Sequence, residues 1–403
     1  MYLPRTIEKT VSRVSRQFKV LLLTGMRQVG KTTLLTRLGA ANRASVTLDD
    51  LNDRELAKND PALFFQTYAP PLLLDEVQYA PEVFSQIKLL ADRSDTRGDF
   101  WLTGSQQFLL MKNVTETLAG RVAILELHGL SIYEREGRGL LQQPYLPAPK
   151  PASALPRKSL PETFATIWKG SLPEVAENDS SFRDNFYSSY VKTYIERDVR
   201  QLTHVGDELS FHNFLRVIAA RTAQELNLSD IATAVGVSVN TAKAWLSVLR
   251  TSGIVHLLQP YFGNFTKRLV KRPKIYFFDT GLCAYLTSWP TPETLASGAM
   301  SGAIFETFVV SEILKSHRHN GLDTPLYFYR DNNKVEIDLL IESAGKLHPV
   351  EIRKSATPGK GMVASFSVID DLDKPRGHGA LVCLIDKPTP LATDITAHSI
   401  WDI

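Results

Sequence analysis

The stretch Gly25-Met-Arg-Gln-Val-Gly30-Lys31-Thr32, set directly after the apolar run Val20 to Leu23, constrains this chain more than any other part of it. It has the Walker A spacing, and the helix-forming stretch Thr33 to Leu38 follows, so the pattern falls at a strand-to-helix turn, where its chemistry requires it. Its glycines let the backbone curl so that N–H groups along Gly25, Met26, Arg27, Gln28, Val29 and Gly30 point inward at an anion, and the helix N-terminus adds its dipole. Lys31 is then the cation for the β- and γ-phosphates and Thr32 the Mg²⁺ ligand, with Thr33 beside it. The expected ligands are ATP and Mg²⁺.

Such a loop needs an acidic strand end beside it. Pro71-Leu-Leu-Leu-Asp75-Glu76-Val77 supplies one, because three consecutive leucines read as a strand buried on both faces with a polar tip. Asp75 is expected in the magnesium shell, and Glu76 is the candidate general base for the attacking water.

Further apolar runs at Ala44 to Leu48, Phe100 to Leu102 and Val122 to Leu127 raise the strand count to five, with room for helices between them. That alternation predicts an α/β fold with a doubly wound parallel sheet whose ligands bind at the carboxyl ends of the strands. The fourth run ends in Thr103-Gly104-Ser105. Thr103 and Ser105 are candidates for contacting the γ-phosphate or the water, and a helix cap by Ser105 is the competing reading. Arg121, at the entrance of the fifth run, is either a stabiliser of transferring phosphoryl charge or a surface ion-pair member.

The segments VLLLTGMRQVGKTTLL, PLLLDEVQYAPEVF, FWLTGSQQFLL and ETLAGRVAILEL together resemble a prokaryotic family of AAA-type ATPases. The likeness continues through Lys192 to Arg200 and Tyr276 to Leu282. Members of that family join an N-terminal ATPase domain to a winged-helix segment and to a C-terminal domain of unknown function with a restriction-endonuclease-like fold. The resemblance implies an ATP-hydrolysing switch or motor. The expected division is residues 1–140 for the P-loop ATPase domain, 141–205 for a proline-rich linker and helical segment, 206–275 for a winged helix, and 276–403 for the C-terminal domain.

Prolines crowd positions 144 to 161, which predicts a surface loop or linker. Helical periodicity resumes from Phe182, with Arg197 and Arg200 either near a nucleotide or in surface ion pairs. Ser229 to Leu249 has helix-turn-helix grammar: Ser229 and Ser238 as caps, Gly236 in the turn, and Ile231, Val235, Val239, Trp245, Leu246 and Leu249 as core. Ser238, Asn240, Thr241 and Lys243 remain where a recognition helix meets base edges. A wing near Gly263 leads into the basic cluster Lys267, Arg268, Lys271, Arg272 and Lys274, a candidate DNA contact through 267–274; a protein contact or a solvated face are the alternatives.

Farther on, Glu306 lies on a mostly buried helix, and strand alternation places Glu336 with Asp338, and Glu351 with Arg353, on common faces of paired strands. Asp338 and Glu351 are candidates to share a divalent ion, with Glu306 approaching. The order resembles the PD-(D/E)XK nuclease core. Arg353 stands in the lysine position of that pattern, and a guanidinium cannot shed a proton to assist a lytic water. Lys354 points to the opposite face. A degenerate or purely binding domain is therefore favoured over an active nuclease.

With 403 residues, 43% of them hydrophobic, the chain has material for two or three domains. Its net charge of +3 does not by itself imply a polyanionic partner, and two cysteines argue against a disulfide framework or zinc cluster. No signal layout or membrane-length apolar run is present, so a cytoplasmic protein with no membrane partner is expected. The principal expectation is a Mg²⁺-dependent ATPase whose nucleotide state moves the later domains. The alternatives are an ATP-gated DNA nuclease and a nucleotide-dependent protein-binding scaffold.

Overall fold

The computed structural model describes residues 2–104, 114, 116–150, 155–195, 208–261, 272–323 and 325–403. Five parallel strands form the first sheet: β1 (Val20–Thr24), β2 (Ala44–Thr47), β3 (Leu72–Asp75), β4 (Phe100–Thr103) and β5 (Val122–Glu126). Their order is β2-β3-β4-β1-β5. All five expected strands are present, and the doubly wound arrangement follows from their side chains. Leu21, Leu23, Leu73 and Trp101 enter one apolar cluster, whereas Val20, Leu22, Leu72, Leu74, Phe100 and Leu102 enter the other. An alternating period of two thus sends adjacent residues to opposite faces, and both faces need a helical cover. The helices Glu8–Ser15, Lys31–Gly39, Leu51–Asn59, Pro61–Thr67 and Val83–Arg93 belong to this layer structure. The register pairs Leu23 with Thr103 and Leu74 with Leu102. The C-terminal ends of β1, β3 and β4 therefore meet at one edge.

The described part of the proline-rich stretch is docked onto later parts of the chain. Tyr145 is buried, its amide donates to Ser316 Oγ at 3.0 Å, and its hydroxyl lies 2.8 Å from His398 Nδ1. Proline-rich composition marked an irregular backbone, expected as a surface loop or linker; the buried Tyr145 ring shows that its described part is anchored to the C-terminal region. The helices Leu160–Lys169, Pro173–Glu177, Ser180–Tyr190 and Glu208–Ala220 follow.

The helix-turn-helix consists of Leu228–Val235 and Val239–Thr251. Gly236 occupies the turn at φ 77°, and Ser238 Oγ accepts the Thr241 amide at 3.0 Å. Two details differ from expectation. The first helix is flanked by Asn227 as N-cap, not Ser229, and Val239 is 47% exposed where a core residue was expected. Ile231, Trp245, Leu246 and Leu249 are buried as expected.

A second sheet of nine strands takes in the rest: β6 (Gln224–Glu225), β7 (Val255–Pro260), β8 (Lys274–Phe277), β9 (Leu326–Arg330), β10 (Glu336–Ser343), β11 (Lys346–Ile352), β12 (Gly379–Cys383), β13 (Thr389–Ala392) and β14 (Ile395–Ser399). β7 pairs with β8 on one side and runs parallel to β9 on the other. The strands that follow the helix-turn-helix are thus continuous with the C-terminal sheet, and the boundary expected after residue 275 falls inside β8. The helix Ser301–Arg318, buried along most of its length, packs on this sheet.

Candidate functional site

Three parallel strands end at the edge where Gly25 to Gly30 turns back into a helix. Gly25 (φ 137°) lies so close to the chain after β5 that a Cβ there would sit 2.0 Å from Leu127 O; no side chain fits. Gly30, in the left-handed region at φ 90°, opens the helix Lys31–Gly39. Lys31 is buried, and its ammonium donates to Gly25 O at 3.0 Å and Met26 O at 2.8 Å, across the turn it would share with phosphate.

Thr32 Oγ1 donates to Asp75 Oδ1 at 2.7 Å, and Thr103 Oγ1 donates to the same oxygen. The Walker A helix, the acidic strand and the fourth strand therefore converge on one carboxylate. Glu76 follows in the left-handed region at φ 54°, a conformation that costs a non-glycine residue roughly 1–2 kcal/mol. Its amide donates to Thr103 Oγ1 at 3.3 Å, and its carboxylate accepts from Gln78 Nε2. Thr103 is wholly buried and faces the acid pair. Asp49, just beyond the end of β2, lies within electrostatic reach of this group. Partial desolvation and the Glu76 and Asp75 charges raise its pKa, against Arg54 and Arg27. The hydroxyl and carboxylate donor set of Thr32 and Asp75 fits Mg²⁺, a hard cation that takes oxygen ligands.

Beside Gly30 and Thr33 lies a cavity of about 390 Å³, lined also by Tyr2, Leu3, Arg5, Val29, Leu130, Pro173, Glu174 and Glu177. That volume lies in the range of small-ligand sites. Gln28 stands exposed at φ 61°, while Met26 and Val29 are buried. Met26 packs under Gly253, the glycine that ends the helix-turn-helix, and Tyr190 donates to Arg27 O at 3.3 Å. Arg5 donates to Val29 O at 2.8 Å. Arg5, Gln78, Asp49 and Tyr190 carried no motif that marked them. Only the position of Gln78 two residues after Glu76, and of Asp49 just beyond a strand end, offered a signal.

Arg121 is placed elsewhere. It precedes β5, and its carbonyl accepts from Val20 N at the start of β1, so it lies at the end of the sheet opposite the Gly25 to Gly30 turn. Its guanidinium binds Asp92 through Nε at 2.5 Å and Nη2 at 3.0 Å. A role at this chain's own phosphates is incompatible with that position; the surface ion pair is what the geometry gives. Ser105, Arg197 and Arg200 lie outside the described residues, as do Gly263, Lys267, Arg268 and Lys271.

The C-terminal acids do come together. Glu306, Glu336, Asp338 and Glu351 share one cluster, but two cations are in it as well. Lys274, expected on a basic surface, is buried, with its ammonium 3.2 Å from Glu306, 2.5 Å from Glu336 and 3.9 Å from Asp338. It projects from β8 into this group because β8 and β10 belong to the same sheet. Arg353 bridges Asp338 (3.3 Å) and Glu351. Lys354 turns away to Ala296 O and Ser301 Oγ.

Burial and the Asp338 charge raise Glu306 to about 7 and Glu351 to about 8; burial also raises Asp338. Burial alone would lower Lys274, but Glu306, Asp338 and Glu336 outweigh it and raise it. With Glu306 and Glu351 able to hold protons near neutrality, two cations face two carboxylates, and the cluster neutralises itself. Among the described residues, no group of three or more His, Cys, Asp or Glu is arranged to hold a metal ion. Nor is any described helix long and apolar enough to cross a membrane.

Residues 17–136 match a family model described as an AAA domain. Residues 161–293 and 301–403 match models described as domains of unknown function (DUF8612 and DUF4143). An uncharacterised protein of Mycobacterium tuberculosis is 29% identical over 359 residues, covering 89% of this chain and 75% of the relative. An uncharacterised protein of Mycobacterium bovis matches with the same figures. Among solved structures, the Walker-type ATPase of Pyrococcus abyssi aligns at a TM-score of 0.46 and 14% identity, over 70% of this chain and 94% of that one. With the Walker A turn and the acidic strand end joined at one sheet edge and the AAA domain model matching residues 17–136, the N-terminal part of the chain is an AAA domain, and domains of unknown function follow it.

Proposed function

We propose that this protein is a Mg²⁺-dependent ATPase whose nucleotide state sets the posture of its helix-turn-helix and C-terminal domain. The observation that carries the reading is Asp75, whose Oδ1 accepts from both Thr32 and Thr103. A single strand end thereby holds a metal-side carboxylate and, through the neighbouring Glu76, a base. The amides of Gly25 to Gly30 and the Lys31 ammonium bind the phosphates, and the cavity beside Gly30 and Thr33 takes the nucleoside. Bound Mg²⁺ supplies charge neutralisation for the phosphoryl oxygens. Glu76, steadied by Gln78 and by the Thr103 contact to its amide, orients and deprotonates the attacking water. Lys31→Ala should abolish nucleotide binding, and Glu76→Gln should retain binding while hydrolysis falls by roughly two to three orders of magnitude. Undiminished turnover in both variants would overturn the reading.

Contact with DNA through the helix-turn-helix is supported by exposed Ser238, Val239, Asn240 and Lys243. Lys274 does not contribute, since its charge is consumed in the acidic cluster. That same neutralisation weighs against an ATP-gated nuclease: plasmid incubated with ATP and Mg²⁺ or Mn²⁺ should remain uncut. Measuring hydrolysis with and without duplex DNA separates a DNA-coupled motor from a scaffold that binds only protein.

A further inference from the structure

We propose that Arg5 is a positioning residue of the phosphate-binding loop, and that His319, at the end of the C-terminal domain's buried helix, makes its grip depend on that domain. The proposal rests on the ATPase reading above. Arg5 is 4% exposed. Its Nη1 donates to Val29 O at 2.8 Å and its Nη2 to His128 O at 2.7 Å, while Nε stands 3.1 Å from Glu134 Oε2.

The Val29 carbonyl and the Gly30 N–H belong to one planar trans peptide, so they point in opposite directions. Holding the carbonyl toward Arg5 therefore turns the Gly30 N–H away from it, into the concave side of the loop. Gly30 needs such a hold. A glycine at φ 90° populates both signs of φ readily, and rotating the 29–30 peptide would replace an inward donor with a carbonyl oxygen that repels phosphate.

Arg5 is in turn held by a closed ring of contacts. Glu134, wholly buried, accepts the Thr6 amide at 2.8 Å and the Ser131 amide at 2.9 Å, and its Oε1 lies 3.1 Å from His319 Nδ1. His319 Nε2 accepts the His128 amide at 3.2 Å, and His128 O accepts from Arg5. The same ring therefore reaches from the phosphate loop through the chain after β5 to the C-terminal domain. Thr10, on the first helix, fastens its far side by donating to His319 O at 3.0 Å. Removing the imidazole leaves Glu134 and the His128 amide each short of a partner, and both are members that keep Arg5 in place.

The amides of the loop contact phosphate in ground and transition states alike, so loosening them weakens binding more than turnover. In the full-length protein, Arg5→Gln should raise both the calorimetric Kd for MgATP and KM by roughly tenfold or more, with kcat changed less than about threefold. His319→Gln should shift Kd in the same direction by roughly threefold or more, and the double variant should be no weaker than Arg5→Gln alone. Arg5→Lys, which keeps the charge but not the fork, should fall between wild type and Arg5→Gln. Nucleotide-free melting identifies a variant that fails to fold; Arg5→Lys and His319→Gln then carry the test. Wild-type affinity in the folded Arg5 variants, or independent multiplication of the two effects, would overturn the proposal. Absence of ATP uptake by the wild type would instead overturn the ATPase reading.

Discussion

Lys274→Met is the perturbation that most directly tests the self-neutralised acidic cluster. Lys274 is 3% exposed as a residue, and its ammonium has carboxylates at 2.5, 3.2 and 3.9 Å. Methionine keeps much of the volume and removes the charge. Breaking a buried ion pair by deleting one partner costs about 3–5 kcal/mol, because the remaining charges are left uncompensated. Here the cost lies toward the lower end. The Tyr276 hydroxyl still donates to Glu306 at 2.7 Å, and Glu306, at about 7, can take a proton.

At pH 8 the expected loss is about 3 kcal/mol; at pH 5.5, where Glu306 is protonated, it is about 1–2 kcal/mol. Lys274 is itself raised above its ordinary value, so its contribution is fully present at both pH values and the difference belongs to the acids. For a cooperative unit of 150–250 residues, the pH 8 loss corresponds to a Tm lower by roughly 6–12 °C. Thermal unfolding of the full chain at both pH values measures it, and Glu306→Gln in the same background should restore part of the loss at pH 8 only. A destabilisation below about 1 kcal/mol at pH 8, or an equal one at both pH values, would refute the reasoning.

Two further outcomes follow from the same geometry. Glu351, at about 8, holds in the fold a proton that the unfolded chain releases above about 4.3, so its contribution to stability is complete at low pH and is lost as pH rises toward 8. Glu351→Gln should flatten the fall in stability between pH 5 and 8.5 by on the order of 2–4 kcal/mol, and an unchanged slope in urea titrations would contradict the assignment. Arg121→Ala should leave kcat per chain within about twofold, since the guanidinium binds Asp92 at the far end of the sheet. A large loss that appears only at high protein concentration would instead mean that Arg121 serves a neighbouring subunit.

Much of this was legible because short-range chemistry dictated it. Val20 to Leu23 and Leu72 to Leu74 had to be strands buried on both faces. The glycine turn and the acid pair could meet at one magnesium-phosphate site only if those strands were parallel and ended at the same sheet edge, as they do. Strand alternation likewise put Glu336 with Asp338 and Glu351 with Arg353. What the sequence could not disclose was set by pairing between distant segments. Lys274 sits among lysines and arginines in sequence and looks like one more surface cation. It becomes a buried counter-ion only because β7 joins β9 and so brings β8 up to Glu306 and Asp338. Arg5 is equally anonymous, a single arginine after a proline, until the chain after β5 folds across it. Val239 failed as a core residue for a local reason: it opens a helix whose N-terminal turn projects outward.

The enclosure of the phosphate loop bears on how nucleotide occupancy could be felt elsewhere. Its carbonyls are taken by Arg5 from the N-terminal segment, by Tyr190 from the middle helices and by its own Lys31. Met26 is packed beneath the glycine that ends the helix-turn-helix. A triphosphate that draws Lys31 off Gly25 O and Met26 O changes the balance on a loop against which three other segments rest. A ligand shifts a conformational equilibrium only by its differential affinity for the two states. On the proposed reading this loop would supply such a difference through Lys31, whose contacts to Gly25 O and Met26 O a bound phosphate would compete for. On the proposed reading, the pairing of β7 with β9 is what would carry such a change from the helix-turn-helix side into the C-terminal sheet, because a strand pair cannot slip by one residue without turning each buried face outward.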